Sequence, residues 1–439
     1  MLDLKLINVT YVENEDWDFK GADTKYLTHG LHVYPARMIP QIARRLLRRY
    51  AKPGDLVLDP FCGSGTVLVE ARLYGMNSVG IDINPLACLL AKVKSTPIDP
   101  KLLRSYWEEL RRKIGRDIGM LRFGMLDVDV PKFYGVNMDY WFKPLTMKEL
   151  TIIRNYLMEI KDDEVRMFFE VPFSSTVREV SGVRKGEYKL YRIPESKWKY
   201  FLPDTFKVFA KNVENAIRKM EEYYRECNKN VFSKVFMADT RRMFTKMFPE
   251  EANALLEGKV KIIVTSPPYG DSKTTVAYGQ FSRLSSLWLS FEKSFDFKTV
   301  MKVDEISLGG NPKNIRKLNF TSLNQTLELI ERNDRERARD VLAFFSDLYT
   351  CLENMFNALD KGGYCCIVIA NRTVRRVQIP THAIIAEMGV EIGFENDVII
   401  IPRNIPTKRL PWENAPENIP GLKGKTMSRE NIIIMRKPI

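Results

Sequence analysis

The amino-acid sequence predicts an α/β fold with a doubly wound, mostly parallel sheet that is interrupted by an inserted module. Three observations predict it. Residues 56–82 give a short apolar strand, a glycine-rich turn, a helical stretch and a second strand. A β-rich run of the same kind returns at 260–265. Between about 100 and 230 the pattern changes to long amphipathic helices, which indicates an insertion into the first domain.

The first half of the sheet is predicted from strands and helices that alternate along the chain. Residues 41–50 form an amphipathic, Arg-rich helix that Pro53-Gly54 ends. Residues 56–58 form a strand that leads into Asp59, 67–74 the following helix, and 79–82 the next strand. A strand, glycine loop, helix and strand ending in an acidic residue are the usual first half of a doubly wound sheet.

The rest of the chain divides into an inserted region and the second half of the sheet. The inserted region is predicted to hold helices at 102–114, 147–160 and 206–227, and a basic hairpin at 177–193. Strands are predicted at 234–239, 260–265, 364–369, 398–401 and 432–435, with a helix at 338–359. We therefore predict one α/β domain from 1–100 joined with 231–439, and an inserted module at 101–230.

Composition narrows the classes of function. The chain has 439 residues, 45% of them hydrophobic, and 68 Lys and Arg against 55 Asp and Glu give a formal charge of +13. That excess favours a polyanionic partner, although a solvated basic surface is the alternative. Six scattered Cys and three His predict neither a disulfide framework nor a metal site. We see no signal peptide and no membrane-spanning run, and expect a cytoplasmic protein; abundant Lys, Arg, Glu and Ile hint at a thermophile.

The glycine turn predicts a nucleotide-like cofactor. Residues 59–66 read Asp-Pro-Phe-Cys-Gly-Ser-Gly-Thr, where glycines allow a ligand close to the backbone and the helix N-terminus favours a carboxylate. The loop lacks the Gly-Lys-Ser/Thr of a phosphate cradle, which disfavours ATP hydrolysis. Asp82 stands where dinucleotide folds keep the acid that binds ribose hydroxyls, and a helix N-cap before Pro85 is the alternative role.

The run at 260–265 ends in Ser266-Pro267-Pro268-Tyr269. A Pro-Pro turn is stiff, and its carbonyls, with the Ser266 hydroxyl, can accept hydrogen bonds from an amino group. Tyr269 can stack on a planar base. Such acceptors turn the amine nitrogen toward a tetrahedral geometry and expose its lone pair. A purely structural turn is the alternative.

The two motifs together resemble those of the S-adenosylmethionine (SAM) dependent amino-methyltransferases of nucleic acids. The resemblance is carried by DPFCGSGT followed by TSPPYG. It implies a Rossmann-like SAM methyltransferase fold with a mostly parallel seven-stranded sheet, SAM as the cofactor, and methyl transfer to an exocyclic amine of a flipped-out base. The Ser form of the second motif resembles cytosine-N4 enzymes, whereas adenine-N6 and tRNA guanine-N2 enzymes usually carry Asp there.

The resemblance also implies particular site residues. The segment 28–37 is similar to the one that lines the methionine end of SAM, and 237–240 to the strand end whose acid bonds the adenine amino group. The predicted cofactor-binding residues are His29, Tyr34, Pro35, Asp59, Pro60, Phe61, Gly63, Gly65, Thr66, Asp82, Ile83, Asp239 and Thr240. The predicted catalytic residues are Ser266, Pro267, Pro268 and Tyr269.

The order of the motifs bears on the substrate. In most DNA cytosine-N4 enzymes the Ser-Pro-Pro-Tyr motif precedes the glycine loop, whereas here it follows, as in RNA methyltransferases and adenine-type DNA enzymes. This order favours structured RNA, such as ribosomal RNA, slightly over site-specific DNA as the cytosine-N4 substrate. Guanine N2, adenine N6 and a protein glutamine amide remain further alternatives, as does a non-catalytic nucleic-acid-binding protein on a decayed fold.

The inserted module is the predicted reader of the polymer, because basic and aromatic residues alternate between 178 and 200. The predicted nucleic-acid contacts are Arg178, Arg184, Lys185, Lys189, Arg192 and Arg283. An ordinary exposed hairpin is the alternative. Residues 270–280 are predicted to form a mobile loop that closes on the base. The sequence gives no prediction of oligomeric state.

Overall fold

The computed structural model describes residues 7–186, 188–271, 275–290, 297–311, 315–405 and 428–439, with backbone only at 297 and 298. The strands are β1 (Asn8–Tyr11), β2 (Leu56–Asp59), β3 (Asn77–Asp82), β4 (Ser233–Met237), β5 (Val260–Thr265), β6 (Leu359–Ala370), β7 (Thr373–Val374), β8 (Val377–Gln378), β9 (Asp397–Asn404) and β10 (Arg429–Arg436). The helices are α1 (Pro40–Tyr50), α2 (Thr66–Leu73), α3 (Pro85–Ser95), α4 (Pro100–Arg122), α5 (Met138–Trp141), α6 (Pro144–Met158), α7 (Asp163–Val180), α8 (Glu195–Trp198), α9 (Thr205–Glu226), α10 (Glu250–Leu256), α11 (Tyr278–Leu289), α12 (Phe297–Ile306), α13 (Thr321–Glu331), α14 (Arg335–Ala358) and α15 (Thr381–Ile392).

The main sheet has eight strands in the order β1-β9-β10-β6-β5-β2-β3-β4. Its pairs are parallel except those of β10, which runs antiparallel to both β6 and β9. The strands predicted from the sequence are all in it. The eighth, β1, pairs in parallel with β9 at the edge. It was not predicted because its four residues are exposed and form no apolar run.

The strands form because their apolar residues alternate between two covered faces of the sheet. One face packs against α14 and α15 and includes Leu58, Val79, Ile263 and Ile367. The other packs against α1 and α2 and includes Val57, Ile262, Val264 and Cys366. The rigid sheet that results brings the carboxyl ends of β2, β3, β4 and β5 to one edge.

The region from 101 to 230 is mainly helical. Its long helices share one hydrophobic cluster with α3 and α11, in which Phe168 and Phe209 lie with Leu90 and Trp288. The predicted hairpin begins too early, because 177–180 is the last turn of α7, where Val177 and Val180 are buried in that cluster. What remains of the hairpin is a short loop closed by a bridge between Val183 and Arg192. The division into a domain and an inserted module stays a prediction.

Within the described ranges, no helix is both long enough and apolar enough to cross a lipid bilayer.

Candidate cofactor pocket and catalytic corner

A pocket of about 880 Å³, measured out to its solvent-facing mouth, lies at the carboxyl edge of the sheet. This is the usual place for a ligand in an open α/β sheet. Of the predicted cofactor residues, its lining includes Tyr34, Pro35, Asp59, Pro60, Phe61, Gly63, Thr66, Asp82, Ile83, Asp239 and Thr240. Of the predicted catalytic residues, it includes Ser266 and Pro268. The structure therefore brings together, around one cavity, segments that are far apart in the sequence.

The glycine loop between β2 and α2 owes its shape to two left-handed glycines. Gly63 has φ +49° and Gly65 has φ +83°, a region that other residues adopt at a cost. A Cβ on Gly65 would also lie 2.7 Å from the Cα of Ala91 on α3. Gly65 does not line the pocket; it allows α2 and α3 to pack closely, which sets the direction in which the loop faces the cavity.

Asp82, at the end of β3, fastens the glycine loop. Its carboxylate accepts hydrogen bonds from the backbone N–H of Gly63 at 2.9 Å and of Asn84 at 2.8 Å. Burial raises the pKa of Asp82 to about 6, against those hydrogen bonds. The N-cap of α3 is Asn84, whose side chain accepts from the N–H of Leu86. Asp82 is therefore not the helix cap, and it remains at the pocket wall where a ribose-binding acid is expected.

Asp59 joins the cofactor loop to the second motif. The hydroxyl of Thr265, the residue before Ser266, donates to its carboxylate at 2.6 Å. The backbone N–H of Phe61 donates to the same oxygen at 3.2 Å. Burial raises the pKa of Asp59 to about 7. The contact fixes the end of β5, and with it the Pro-Pro turn, relative to the loop.

The segment 28–37, predicted to line the methionine end of SAM, lies only partly in the pocket lining. Tyr34 lines the pocket, stacks on Tyr278 of α11 with 6.0 Å between ring centroids, and accepts a hydrogen bond from the amide of Asn84 at 3.1 Å. His29 does not lie in the pocket lining, contrary to its predicted place. It is buried, and its Nε2 lies 2.8 Å from Glu70 Oε1 on α2. Because Glu70 is a fully buried carboxylate, it needs such partners, and His29 contributes to packing rather than to the cavity.

At the opposite end of the pocket Asp239 and Thr240 follow β4. Thr240 donates to the carbonyl of Pro60 at 2.5 Å and ties β4 to the glycine loop. Asp239 is paired with Arg241, whose Nη2 lies 2.8 Å away. Arg241 also donates to the carbonyl of Ile306 on α12 at 2.6 Å and to Asp347 on α14 at 2.8 Å.

The pocket also has lining residues beyond the predicted site residues, some of them in segments 28–37, 59–66, 237–240 and 270–280 that the sequence analysis singled out. They are Ala36, Arg37, Met38, Cys62, Ser64, Val67, Asn84, Ala238, Arg241, Tyr278, Val303, Ile306, Ser307 and Leu308. The last four come from α12 and the turn after it, which no motif marks. Arg241 could have been suspected, because it directly follows the predicted adenine-binding strand end.

The second motif forms a corner at the end of β5. The Ser266 hydroxyl donates to the Tyr269 hydroxyl at 3.4 Å, and Tyr269 donates to Glu430 Oε1 on β10 at 2.7 Å. The other oxygen of Glu430 pairs with Arg403 of β9. Ser266 and Pro268 belong to the pocket lining, whereas Pro267 and Tyr269 do not. Residues 272–274 of the predicted closing loop lie outside the described residues, and that loop stays a prediction.

Two of the predicted nucleic-acid residues are half-buried and have partners within the protein. Arg178 donates to the Phe281 carbonyl at 2.8 Å, and its guanidinium lies 3.9 Å from the Phe281 ring centroid. Burial lowers the pKa of Arg178 to about 10. Arg192 lies between the rings of Tyr140 and Trp198, 4.4 Å from each centroid, and bonds Glu195 at 2.9 Å. Contacts within the protein therefore hold both cations in place, and their contact with nucleic acid stays a prediction.

The remaining basic residues lie on the short loop and on α11. Arg184 and Lys185 are exposed on the short loop. That loop contacts α11, because the N–H of Leu190 donates to the side chain of Gln280 at 3.4 Å. Burial raises the pKa of Asp304 on α12, and the charges of Arg283 and Lys189 partly oppose that rise. These two cations therefore lie near the carboxylate that caps the start of α11, through Gly279 N at 2.8 Å.

No group of three or more His, Cys, Asp and Glu residues gathers at metal-binding distances in the part of the chain that the structure describes. The six cysteines are free, and five of them are buried.

Comparison with known proteins assigns the family. Residues 8–93 match the N6/N4 methyltransferase family, described as DNA methylase. Over 438 residues the chain is 37% identical to the Type II methyltransferase M.MvaI of Kocuria varians, covering 97% of this chain and 94% of that protein. The chain belongs to the nucleic-acid amino-methyltransferase family. It is thus a methyltransferase of nucleic acids that takes its methyl group from SAM.

Two further relatives of this amino-methyltransferase differ in how much of it they match. The Type II methyltransferase M.MjaII of Methanocaldococcus jannaschii is 23% identical, covering 86% of this chain and 84% of that protein. The tRNA (guanine(10)-N2)-dimethyltransferase of Methanothermobacter thermautotrophicus is 48% identical over only 52 residues, 12% of this chain and 16% of that protein.

The pocket of this methyltransferase fits SAM. Asp82 and Asp239 are acids at the ends of adjacent strands, suited to ribose hydroxyls and an adenine amine, and Phe61 adds an apolar ring to the same lining. Bound there, SAM would supply an electrophilic methyl group on its sulfonium. The individual residue roles remain proposals.

Proposed function

We propose that this chain methylates the N4 amine of cytosine in DNA, at a base flipped out of the duplex into the corner formed by Ser266–Tyr269. Structured RNA is the second candidate polymer. The observation that carries the proposal is Ser266 at the pocket wall, next to the Pro-Pro turn and at the end of the strand that Asp59 fastens to the cofactor loop.

The chemistry needs acceptors and position rather than a strong base. The Ser266 hydroxyl and the carbonyls of the Pro-Pro turn would accept the two N–H bonds of the amine and turn its lone pair toward the cofactor pocket. The nitrogen lone pair forms the new N–C bond while the electron pair of the broken C–S bond stays on sulfur. One amine proton then leaves to water. The Ser form of the motif, in place of Asp, resembles cytosine-N4 enzymes, and this resemblance favours cytosine over adenine.

The lengths of the matches favour DNA. The relatives that match most of the chain are named Type II methyltransferases, and the matching family is described as DNA methylase. The tRNA-directed relative matches 52 residues. The order of the two motifs, as set out above, is what keeps structured RNA as the second candidate.

An exposed aromatic and basic surface beside the short loop is the proposed contact with the polymer. Tyr191 and Tyr200 are 50% and 74% exposed, and Arg184 and Lys185, in the same stretch of sequence, are exposed as well. Exposed rings and cations of this kind bind phosphates and unpaired bases. The loop packs on α11, whose Tyr278 lines the cofactor pocket, so this surface lies close to the mouth of the site.

The test is nucleoside mass spectrometry after incubation of the chain with methyl-labelled SAM and either unmethylated genomic DNA or deproteinised RNA. We expect N4-methylcytosine in DNA. Ser266→Ala should reduce the transfer rate by about tenfold to a hundredfold, because one hydrogen-bond acceptor of the reacting amine is lost.

The matched control is Ser290→Ala. Ser290 follows α11, and its hydroxyl donates a hydrogen bond of 2.6 Å to the carbonyl of Leu287. Neither residue belongs to the pocket lining. Ser290→Ala should leave the rate unchanged. Methylation only in RNA would move the proposal to the second candidate, and N6-methyladenine or N2-methylguanine would overturn the choice of base.

A further inference from the structure

A chain of hydrogen bonds runs from the catalytic corner to β10. Ser266 donates to Tyr269 at 3.4 Å, and Tyr269 donates to Glu430 Oε1 at 2.7 Å. Arg403 occupies the other carboxylate oxygen. Glu430 and Arg403 are neighbours across the β9–β10 pair, so the sheet itself fixes their contact. This series of hydrogen bonds therefore ends in a carboxylate, which accepts hydrogen bonds and has no proton to donate.

The direction of these bonds matters for Ser266. A serine hydroxyl has one proton and two lone pairs, and it can meet a ligand either as a donor or as an acceptor. Because Glu430 can only accept, the Tyr269 proton points to Glu430. The Tyr269 oxygen is then left to accept the Ser266 proton, and the lone pairs of Ser266 remain for the pocket.

We propose that Glu430 is a positioning residue that fixes the hydrogen-bond direction of Tyr269 and Ser266, so that Ser266 meets the target amine as an acceptor. This inference rests on the proposed function, because it concerns the same corner and the same amine. It explains how a neutral serine can do what a carboxylate does in Asp-type motifs: its one proton is already engaged, and it presents only acceptors.

The decisive variant is Glu430→Gln, which keeps the size of the side chain and its hydrogen bond to Tyr269. The amide oxygen must face the Arg403 donors, so its N–H₂ faces Tyr269. The Tyr269 proton then turns to Ser266, and the Ser266 proton turns to the pocket, where it opposes the amine N–H. We expect the turnover rate to fall by about tenfold or more, with the KM for SAM changed by less than about twofold.

The probe is a DNA duplex carrying the cytosine site located by sequencing the methylated genomic DNA, with uracil at the same position as its partner probe. Uracil carries a carbonyl oxygen where cytosine carries the amine. Glu430→Gln should therefore shift the ratio of binding affinities toward the uracil duplex, relative to the wild-type chain. A residue with only a structural role would weaken both duplexes alike.

A second substitution tests the direction of the hydrogen bonds from Ser266 through Tyr269 to Glu430. Adding Tyr269→Phe to Glu430→Gln removes the hydroxyl that transmits the reversal, so the double variant should be no slower than Glu430→Gln alone. Two independent losses would instead multiply. Glu395→Gln is the matched control, because Glu395 pairs with Arg436 of the same strand at 3.7 Å; it should behave as wild type.

The outcomes separate the two proposals. A wild-type chain that methylates cytosine while Glu430→Gln keeps both its rate and its preference for the cytosine duplex would overturn the role of Glu430 and leave the function intact. An equal loss of binding to both duplexes would also overturn it. A wild-type chain that transfers no methyl group to cytosine would overturn the proposed function, and this inference with it.

Discussion

At the residue scale, the pocket is marked by carboxyl groups that burial makes weaker acids. The pKa of Asp59 is raised to about 7 and that of Asp82 to about 6, in each case chiefly by loss of water. SAM carries positive charge on its sulfonium and its ammonium. A cation near these groups would favour their ionised form, so binding and deprotonation are coupled.

We predict that SAM binds more weakly as the pH falls from 8 to 6. In the free chain Asp59 is ionised above its pKa of about 7 and neutral below it, and the neutral form no longer attracts the cation. Asp59→Asn should bind SAM more weakly at pH 8 and lose most of this pH dependence. Calorimetric titrations with SAM at pH 6, 7 and 8 measure both effects.

Measuring the stability of the free chain tests whether the weaker SAM binding of Asp59→Asn results from unfolding. Because the folded pKa of Asp59 lies above the ordinary value of 3.8, this group makes the fold less stable as the pH rises from about 4 to about 7. Asp59→Asn removes that loss and should be at least as stable as wild type at pH 8. Asp360→Asn, a surface carboxylate paired with Lys261, should leave SAM binding unchanged. An affinity that is flat with pH in the wild-type chain would contradict the coupling.

At the element scale, α12 is held over the pocket by a few polar contacts. Arg241 connects the end of β4 to the carbonyl of Ile306, and Asp347 of α14 bonds both Arg241 and the N–H of Gly309 at 2.8 Å. Desolvation lowers the pKa of Arg241, but the hydrogen bonds and charges of the two aspartates raise it overall. The turn after α12 is thus tied to the predicted adenine end of the cofactor pocket.

We predict that Arg241→Ala lowers the affinity for SAM about tenfold, because α12 loses its hydrogen bond to the residues after β4 and Asp239 loses the Arg241 guanidinium. Hydrogen exchange of the backbone at 299–308 should become faster in the free chain. Calorimetry and exchange mass spectrometry measure the two effects.

Arg316→Ala is the matched control, since Arg316 pairs with Glu353 on the outer side of α14 and is half exposed. It should change neither the affinity nor the exchange rate. Unchanged exchange at 299–308 in Arg241→Ala would contradict the proposed attachment.

At the scale of the whole molecule, the net charge and the sheet topology together predict which surface binds the nucleic acid. The chain carries a formal charge of +13, and its pocket lies at the carboxyl edge of the parallel strands. The short basic loop contacts α11, which contributes Tyr278 to the pocket lining. The amino edge carries other lysines, such as Lys259 before β5. If net charge alone bound the polymer, the position of a lysine would matter little.

We predict that Lys185→Ala reduces the slope of log K against log salt for DNA binding by about one, because one phosphate contact is lost. Lys259→Ala, at the opposite edge of the sheet, should leave the slope unchanged. Fluorescence titration of a labelled duplex over a range of salt concentrations measures the slopes. Equal changes in the two variants would indicate binding through net charge without a defined surface.

The local features of the fold were predictable from local patterns. The glycine loop and the Pro-Pro turn each follow an apolar strand, and Asp82 ends another. Nearly continuous burial on both faces of the sheet put those strands in the predicted places. Edge strand β1 and helix α12 lack such patterns and were missed. The hairpin was placed too early because charged residues were weighed above the buried Val177 and Val180, which continue α7.

The sequence by itself predicted seven strands of the main sheet, the glycine loop and the Pro-Pro turn, because each depends on neighbours within a few residues. Only the tertiary structure decided which charged residues are free. It paired His29 with Glu70, packed Arg178 against Phe281, and brought Glu430 to Tyr269 from 161 residues away. The reason is physical: a buried polar group must find a partner, and the partner's distance along the chain is set by the folding of the sheet, not by any local pattern.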